Sequence, residues 1–434
     1  MFKALISSLF VILLLCGCSE SRYNDYERSV HIRKQNGKYV LYKNNRPFYI
    51  KGASGSTNLS LLKAMGGNAI RIWDTTGLGA ILDSAQANQI SVIVGLPVQN
   101  SNVVQLYQNP GKVAAQHLAF KKIVNRYRKH PALLMWCVGN ELDFSYGWSF
   151  NRFYKAYNEL TDMIHADDPD HPVTTTVLNF NPKYIANLLL RCDIDLISFN
   201  IFSMLDVLRS NLRNYLWLWH GPYMVLEWGI DGPWDGTMQT AWGAYIEKPS
   251  NEKAAIYKER YQLHMPLESR RFLGGFVFFW GHKQEATHTW FSIFDAQGRK
   301  SAAVKTLQFL WTGKDSGEPF PEIREMRVQN RNAFENIILT PNLHTQAEVT
   351  LLSNANQIKS VSWQIFREDW FRKNNENSTR LLKPLSQLMH PEQGLKATFT
   401  TPAKEGPYRI FATLYDHHGN FATCNTPFYV VSTK

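Results

Sequence analysis

The chain has 434 residues, 44% hydrophobic and 19% charged, a balance that buries a core and excludes a disordered chain. At this length two or three domains are expected. Its 47 Lys and Arg outnumber 36 Asp and Glu, for a net charge of +11, but the basic residues are scattered and never form a run interleaved with aromatics, so no nucleic-acid partner is expected.

The N-terminus opens with Lys3 and an apolar run from Ala4 to Leu15. That run is too short for a bilayer of about 30 Å and matches a secretory signal peptide. It ends in Leu15-Cys16-Gly17-Cys18, which resembles the bacterial lipobox, with the small Gly17 pointing to Cys18 as the lipidated residue. Ser19 after it resembles the outer-membrane sorting pattern of Gram-negative bacteria. Residues 1–18 therefore read as a lipoprotein signal peptide and 19–30 as a polar tether. The expected product is anchored by lipid to a membrane of the cell envelope and does not span it. Cys137, Cys192 and Cys424 are widely spaced with no C-x-x-C, so neither a disulfide framework, a metal site nor a cofactor is expected.

From His31 the pattern changes. Tyr39–Tyr42 and Pro47–Ile50 read as strands on either side of a turn at Asn44-Asn45. Eight short apolar runs then alternate with helical patterns: Phe48–Gly52, Asn68–Trp73, Ile90–Val98, Leu133–Gly139, Val173–Leu178, Ile194–Asn200, Tyr223–Trp228 and Gly275–Trp280. Few alternate apolar with polar, as expected of strands buried on both faces. Between them, Phe150, Phe153, Tyr154, Tyr157, Leu160 and Ile164 fall on one helical face, and Pro110–Lys129 behaves alike. Eight strands and helices over about 280 residues predict an α/β chain folded as a (β/α)8 TIM barrel, here residues 31–315. The rival open sheet lacks its usual glycine-rich loop. Thr312–Pro321 reads as a linker, and 320–434 as a small immunoglobulin-like β-sandwich with a hairpin turn at Asp416–Asn420.

In such barrels chemistry sits at the C-terminal ends of the strands. Strand four runs Met135-Trp136-Cys137-Val138-Gly139-Asn140-Glu141, and strand seven Val225-Leu226-Glu227-Trp228-Gly229. Each puts a carboxylate just past an apolar run. Two carboxylates facing one pocket suit glycosidic cleavage, one giving a proton to the leaving oxygen and the other attacking the anomeric carbon or activating water.

The stretch His130–Glu141, a His-Pro followed by an apolar run with Trp and a terminal Gly-Asn-Glu, closely resembles the acid/base strand of glycoside hydrolase family two, in clan A. Leu226-Glu227-Trp228-Gly229 resembles its nucleophile strand, and Asn68–Trp73 its second strand. The resemblance runs from about Asn36 to Trp311 and leaves out the sandwich domains that precede the family's barrel. It implies a retaining hydrolase of β-linked oligo- or polysaccharide. Glu141 would be the acid/base, Glu227 the nucleophile, Asn140 a partner for the sugar 2-hydroxyl and Arg71 the charge that holds Glu227 ionised. Phe202 stands where the family commonly has a Tyr that supports the nucleophile.

Further substrate-binding candidates are Asn200 at the end of strand six, Trp228 beside the nucleophile, Trp280 as an aromatic floor, and Trp234 on the long loop Ile230–Ser250. Asp143, Tyr146 and Trp148 follow Glu141 and are candidates for the leaving-group side, while His282, His288 and Trp290 follow strand eight. Trp363, Trp370 and Phe371 offer either a glycan-binding face or packing in the C-terminal domain. Two rivals share this pattern: a transglycosylase, in which a sugar replaces water, and a glycan-binding envelope lipoprotein that has lost catalysis. Oligomeric state is not legible.

Overall fold

The computed structural model describes residues 28–368, 382–390 and 394–432. The signal peptide, Cys18, Trp370 and Phe371 lie outside the described residues. Among those described, no helix is long and apolar enough to cross a membrane.

Three strands come first: β1 (Val30–Gln35), β2 (Lys38–Lys43) and the short β3 (Arg46–Pro47), an antiparallel sheet in that order. Eight more close into a barrel: β4 (Ile50–Ser54), β5 (Ala69–Ile72), β6 (Ser91–Leu96), β7 (Leu133–Val138), β8 (Val173–Leu178), β9 (Leu196–Asn200), β10 (Tyr223–Trp228) and β11 (Phe272–Val277). Neighbouring strands are parallel throughout, and β11 closes on β4. The apolar runs are unbroken because both faces are covered. Ile70, Val92, Val94, Trp136 and Val225 pack outward under the helices, whereas Ile93, Leu134, Cys137, Met224 and Leu226 fill the interior.

Local chemistry starts the helices. Asn109-Pro110 and Asn181-Pro182 each set an Asn side chain to accept amide N–H groups of the first turn, with Pro where no amide is needed. Gly95 is required on β6, because a Cβ there would lie 2.5 Å from the Trp73 carbonyl oxygen.

The N-terminal hairpin has a definite task. Val30, Ile32, Tyr39 and Leu41 join the interior cluster with Ile50, Ala69, Leu134, Leu196 and Leu273, near the N-terminal ends of the barrel strands. Backbone hydrogen bonds from Val30 to Asp170 (3.1 Å) and from Tyr39 to Arg270 (2.7 Å) tie it to the loops that enter β8 and β11. The hairpin plugs one mouth of the barrel and leaves chemistry to the other.

The last barrel helix ends at Thr312. Beyond it lie β12 (Ile323–Val328), β13 (Ile338–Leu339), β14 (His344–Leu351), β15 (Ile358–Arg367), β16 (Lys396–Thr400), β17 (Gly406–Asp416) and β18 (Phe421–Val430). They form two sheets, β12-β14-β16 and β13-β18-β17-β15, around Ile323, Trp363, Ile365, Phe399, Ile410 and Phe428. Trp363 is thus a core residue, its indole N–H bonded to the Gly394 carbonyl at 3.1 Å. The expected hairpin turn forms: Asp416 Oδ1 accepts the amides of His418 (2.8 Å) and Asn420 (2.7 Å). Strands β12 and β13 extend the expectation. In β12 only Ile323, Met326 and Val328 are buried, so its charged outer face hid the strand in the sequence.

The loop Ile230–Ser250, expected to serve substrate along its length, divides. Its far half bridges barrel and sandwich: buried Glu247 pairs with Lys253 and accepts hydrogen bonds from Thr287 (2.7 Å) and Thr289 (2.8 Å) on the barrel side and from Asn425 (2.8 Å) of β18. Arg409 of β17 bonds the Tyr245 carbonyl at 2.6 Å, and Trp242 packs on Tyr429. Only the half that carries Trp234 stays with the barrel.

Candidate active site

Two strand ends aim the carboxylates. On β10 the pairing register shifts between Val225 and Glu227 against β9 and between Val225 and Trp228 against β11. Such an irregularity re-aims a side chain. Leu226 sits in the interior cluster, and the next residue, Glu227, also turns inward to meet Arg71. Trp228 then faces out. On β7 the strand stops at Gly139, which has φ +79° and whose Cβ, were there one, would meet Leu142 at 2.3 Å. Glu141 follows at φ +51°, a conformation that costs a non-glycine residue on the order of 1 kcal/mol. Its amide donates to Thr176 Oγ1 at 2.8 Å, which holds the turn from β8.

Glu227 is 5% exposed and forms a buried ion pair with Arg71, itself 1% exposed. The Trp73 indole N–H donates to the same oxygen at 2.8 Å, and the Arg71 guanidinium lies 4.9 Å from the Trp73 ring. Arg71 also reaches Asn140 Oδ1. That oxygen is shared with Asn200 Nδ2 (3.1 Å) and Thr176 Oγ1 (3.3 Å). Asn200 Nδ2 bonds Glu141 Oε1 at 2.7 Å. Arg71, Asn140, Glu141, Asn200 and Glu227, each a candidate from the sequence, are thus brought together in one hydrogen-bonded network. Burial, and then the nearby Glu227, push the Glu141 carboxyl up to about 7 against the opposing Asn200 hydrogen bond and Arg71 charge.

Two tryptophans expected at the substrate are elsewhere. Trp228 is 1% exposed and packs on Tyr257 and Tyr261, on the helical side of the barrel, because the strand faces outward again after Glu227. Trp280 is fully buried against Phe294 and Trp311, with its indole N–H bonded to the Thr57 carbonyl at 2.9 Å. It lies three residues past the end of β11. Phe278 and Phe279, joined by a cis peptide bond, each stand 5.9 Å from the Trp73 ring. His288 and Trp290 also leave the cleft. His288 packs on Phe366 and Phe411 of the sandwich, and burial there pushes its imidazole down to about 4. Trp290 is buried against Tyr245 and bonds the Asp231 carbonyl at 2.9 Å. His282 is half-buried, 6.3 Å from His288. Asp143 accepts from the hydroxyl of Tyr184, on the helix Pro182–Arg191, at 3.1 Å.

Trp73, Thr176, Lys283 and Glu285 were not anticipated. Trp73 had a signal, since it lies two residues after Arg71 and side chains two apart on a strand share a face. Phe202 packs on Phe278 and Phe291, and the side-chain N–H groups at Glu227 come from Arg71 and Trp73. Lys283 and Glu285 had no signal, being loop residues. The Lys283 ammonium lies 4.8 Å from the Phe278 ring and 2.6 Å from Glu285, whose carboxyl is raised chiefly by burial and also by Glu227. Among the described residues no group of three or more His, Cys, Asp or Glu is placed to hold a metal.

Residues 67–269, a stretch running from the entry to β5 to the approach to β11, match the family model for the TIM barrel domain of glycosyl hydrolases family 2. This barrel resembles that family's barrel. Three solved structures are similar over most of the chain. β-Glucuronidase from Bifidobacterium dentium, complexed with coumarin-3-O-glucuronide, is 19% identical with a TM-score of 0.52, over 67% of this chain and 50% of that one. β-Glucuronidase 2 from Bacteroides uniformis, covalently bound to cyclophellitol-6-carboxylate aziridine, is 13% identical with a TM-score of 0.51, over 93% and 48%. The endo-β-1,4-mannanase of Thermotoga petrophila is 14% identical with a TM-score of 0.44, over 90% and 99%. The chain spans about half the length of the glucuronidases it matches. The match to the family 2 barrel model supports an activity of the glycosidase kind.

Proposed function

We propose that this chain is a retaining glycosidase that cleaves a β-linked glycan in two displacements. In the first, a Glu227 oxygen attacks the anomeric carbon while Glu141 gives its proton to the departing glycosidic oxygen. The sugar–oxygen bond breaks as a glycosyl ester forms on Glu227. In the second, Glu141, now a carboxylate, takes a proton from water. The water oxygen attacks the same carbon, which frees Glu227 and restores the configuration.

The observation that carries this reading is the division between the two carboxyl environments. Glu227 is paired with a guanidinium and an indole N–H, whereas Glu141 has a neutral amide as its partner and is pushed up to about 7. An acid that keeps its proton near neutral pH beside a carboxylate paired with a cation is what one-acid, one-nucleophile chemistry needs. Asn140, set by Arg71, Asn200 and Thr176, is the partner for the sugar 2-hydroxyl, a contact worth most in the transition state. The similar structures named for glucuronides make uronic-acid glycosides an early choice of substrate to test. Lipidation at Cys18 would hold the enzyme at the cell envelope; Cys18→Ala should then release it from the membrane fraction.

A panel of cyclophellitol-type aziridines tests the chemistry. One or more should esterify Glu227, read by peptide mass, and Glu227→Ala should abolish labelling. Product released by the wild type should keep the β configuration by NMR. An inverted product, or a panel with neither labelling nor turnover, would remove this reading.

A further inference from the structure

The two loops that leave the catalytic strands each hold an aromatic ring out to solvent on a rigid support. Trp148, seven residues past Glu141, is 90% exposed, and Tyr146 beside it is also exposed. A floppy loop would explain that, but this loop is fixed. Asn100 Oδ1 accepts the Asp143 amide (3.1 Å), Ser101 donates to the Asp143 carbonyl (2.6 Å), Asn187 to the Phe144 carbonyl (2.7 Å) and Tyr154 to the Ser145 carbonyl (3.0 Å). Phe144 is fully buried among Phe153, Tyr154 and Tyr157. Trp148 itself begins the helical turn Trp148–Phe150 that leads into the helix Asn151–Asp167.

The loop after Glu227 is built alike. Asp235 accepts from Ser203 (2.9 Å) and from the Gly232 amide (2.8 Å), and Thr237 donates to the Gly232 carbonyl (3.0 Å). Trp234, 54% exposed, is held between them. Its ring starts a row that leads to the nucleophile: Trp234 to Phe291 (5.9 Å), Phe291 to Phe278 (5.0 Å), Phe278 to Trp73 (5.9 Å), and the Trp73 indole N–H to Glu227 (2.8 Å).

Leaving a large ring in water forfeits the free energy of burying it, and a rigid support removes the entropy cost of ordering it on binding. Trp234 is the exposed end of a row whose inner rings, Phe291 and Phe278, are buried, and Trp148 stands exposed on the loop that leaves the other catalytic strand; flat exposed rings on both loops suit the C–H faces of sugars. We infer that the cleft binds an extended glycan chain and cuts within it, with Trp148 stacking a sugar on the leaving-group side and Trp234 one on the opposite side. This rests on the reading of Glu141 and Glu227 as the reacting pair. The side of Trp148 follows from that reading, because its loop carries the residue that protonates the leaving group.

The test compares β-linked oligosaccharides of two to six units with 4-nitrophenyl monoglycosides of the same sugars. In the wild type, kcat/KM should rise about tenfold between the disaccharide and the longest chains, and cleavage should fall at internal bonds. Trp148→Ala should lower the ratio of hexasaccharide to monoglycoside kcat/KM about tenfold. Trp217→Ala should keep the wild-type ratio, since Trp217 is 79% exposed but lies between the helix Leu205–Asn214 and β10, at the opposite end of the barrel. A flat chain-length profile, or equal losses on both substrate types in Trp148→Ala, overturns the inference. So does a Trp148→Ala that changes binding to phospholipid vesicles and leaves the ratio intact. If nothing is hydrolysed and no aziridine labels Glu227, the glycosidase reading fails on its own. Calorimetric titration of Glu141→Gln with the hexasaccharide then still reads the platform: it should bind, and the Trp148→Ala double variant should bind about tenfold more weakly, with equal affinities overturning the inference.

Discussion

The two ends of the barrel are made from the same eight strands and have opposite characters. At the N-terminal mouth the inward residues are Ile50, Ala69, Leu134, Leu196 and Leu273, sealed by Val30, Ile32, Tyr39 and Leu41 of the hairpin. Halfway along, Thr174 and Ser198 face each other with their hydroxyls 2.7 Å apart. At the C-terminal mouth stand Arg71, Thr176, Asn200 and Glu227, all buried and each hydrogen-bonded to another member of the network. One end buries apolar area and pays for the other, where buried charge and a strained Glu141 would be destabilising alone. The chemistry can then be preorganised, because the strands that aim it are held from behind.

Four changes would break or sharpen that contrast. The largest effect should come from Glu227→Gln, which keeps the shape but removes the nucleophile. We expect kcat to fall on the order of 10⁴-fold or more, measured on an activated aryl glycoside. At the other end, Leu41→Ala opens a cavity in the plug and should cost about 2–5 kcal/mol in denaturant titration. Its kcat at 25 °C should stay within about twofold. A catalytic loss as large as that of Glu227→Gln would show that the two ends are not separable.

Smaller is Trp73→Phe, which deletes one donor to Glu227 while keeping an aromatic ring beside Phe278 and Phe279. A hydrogen bond to a charged group contributes about 1.5–3 kcal/mol, so kcat/KM should fall roughly 10- to 100-fold. The smallest effect is on stability. The Glu141 carboxyl is raised to about 7 in the folded chain by burial and by Glu227, from an ordinary value of 4.5. Its protonated form is therefore favoured by folding. The stability it contributes is complete below pH 4.5 and is lost as pH climbs through 7. Glu141→Gln should then melt higher than the wild type at pH 8, by on the order of 2 °C, with the difference fading at pH 4. For activity the same group must be protonated to act, so wild-type kcat/KM should decline above about pH 7.

The contrast between the ends also shows what could be read in advance. The eight strands were legible because burial on both faces leaves long apolar runs, and their observed bounds agree within a few residues, least well for β11, which begins at Phe272 rather than Gly275. Both glutamates and Asn200 were legible as polar residues near the ends of apolar runs, where a barrel keeps its polar groups, whereas Arg71, inside its strand, and Asn140 were reached through the resemblance to the family 2 strands. Trp228 and Trp280 were misread for a common reason. Being next to a functional residue in sequence says nothing about which face of a strand a ring takes, and both turned into apolar packing that hides a large ring fully. Lys283 and Glu285 were invisible because a loop has no period by which to place a side chain.

The sequence alone determined the repeating pattern and the two carboxylates at strand ends, because strand ends and hydrophobic runs are local properties; Arg71 and Asn140 entered through the resemblance of their strands to the family 2 barrel. Tertiary structure decided which groups meet. The register shift on β10 lets Leu226 and Glu227 both face inward, and Thr176 from the next strand holds the Glu141 turn. Burial beside Glu227 raises the Glu141 carboxyl to about 7. Each of these depends on strands far apart in the chain being brought within hydrogen-bonding distance, and no local pattern encodes that distance.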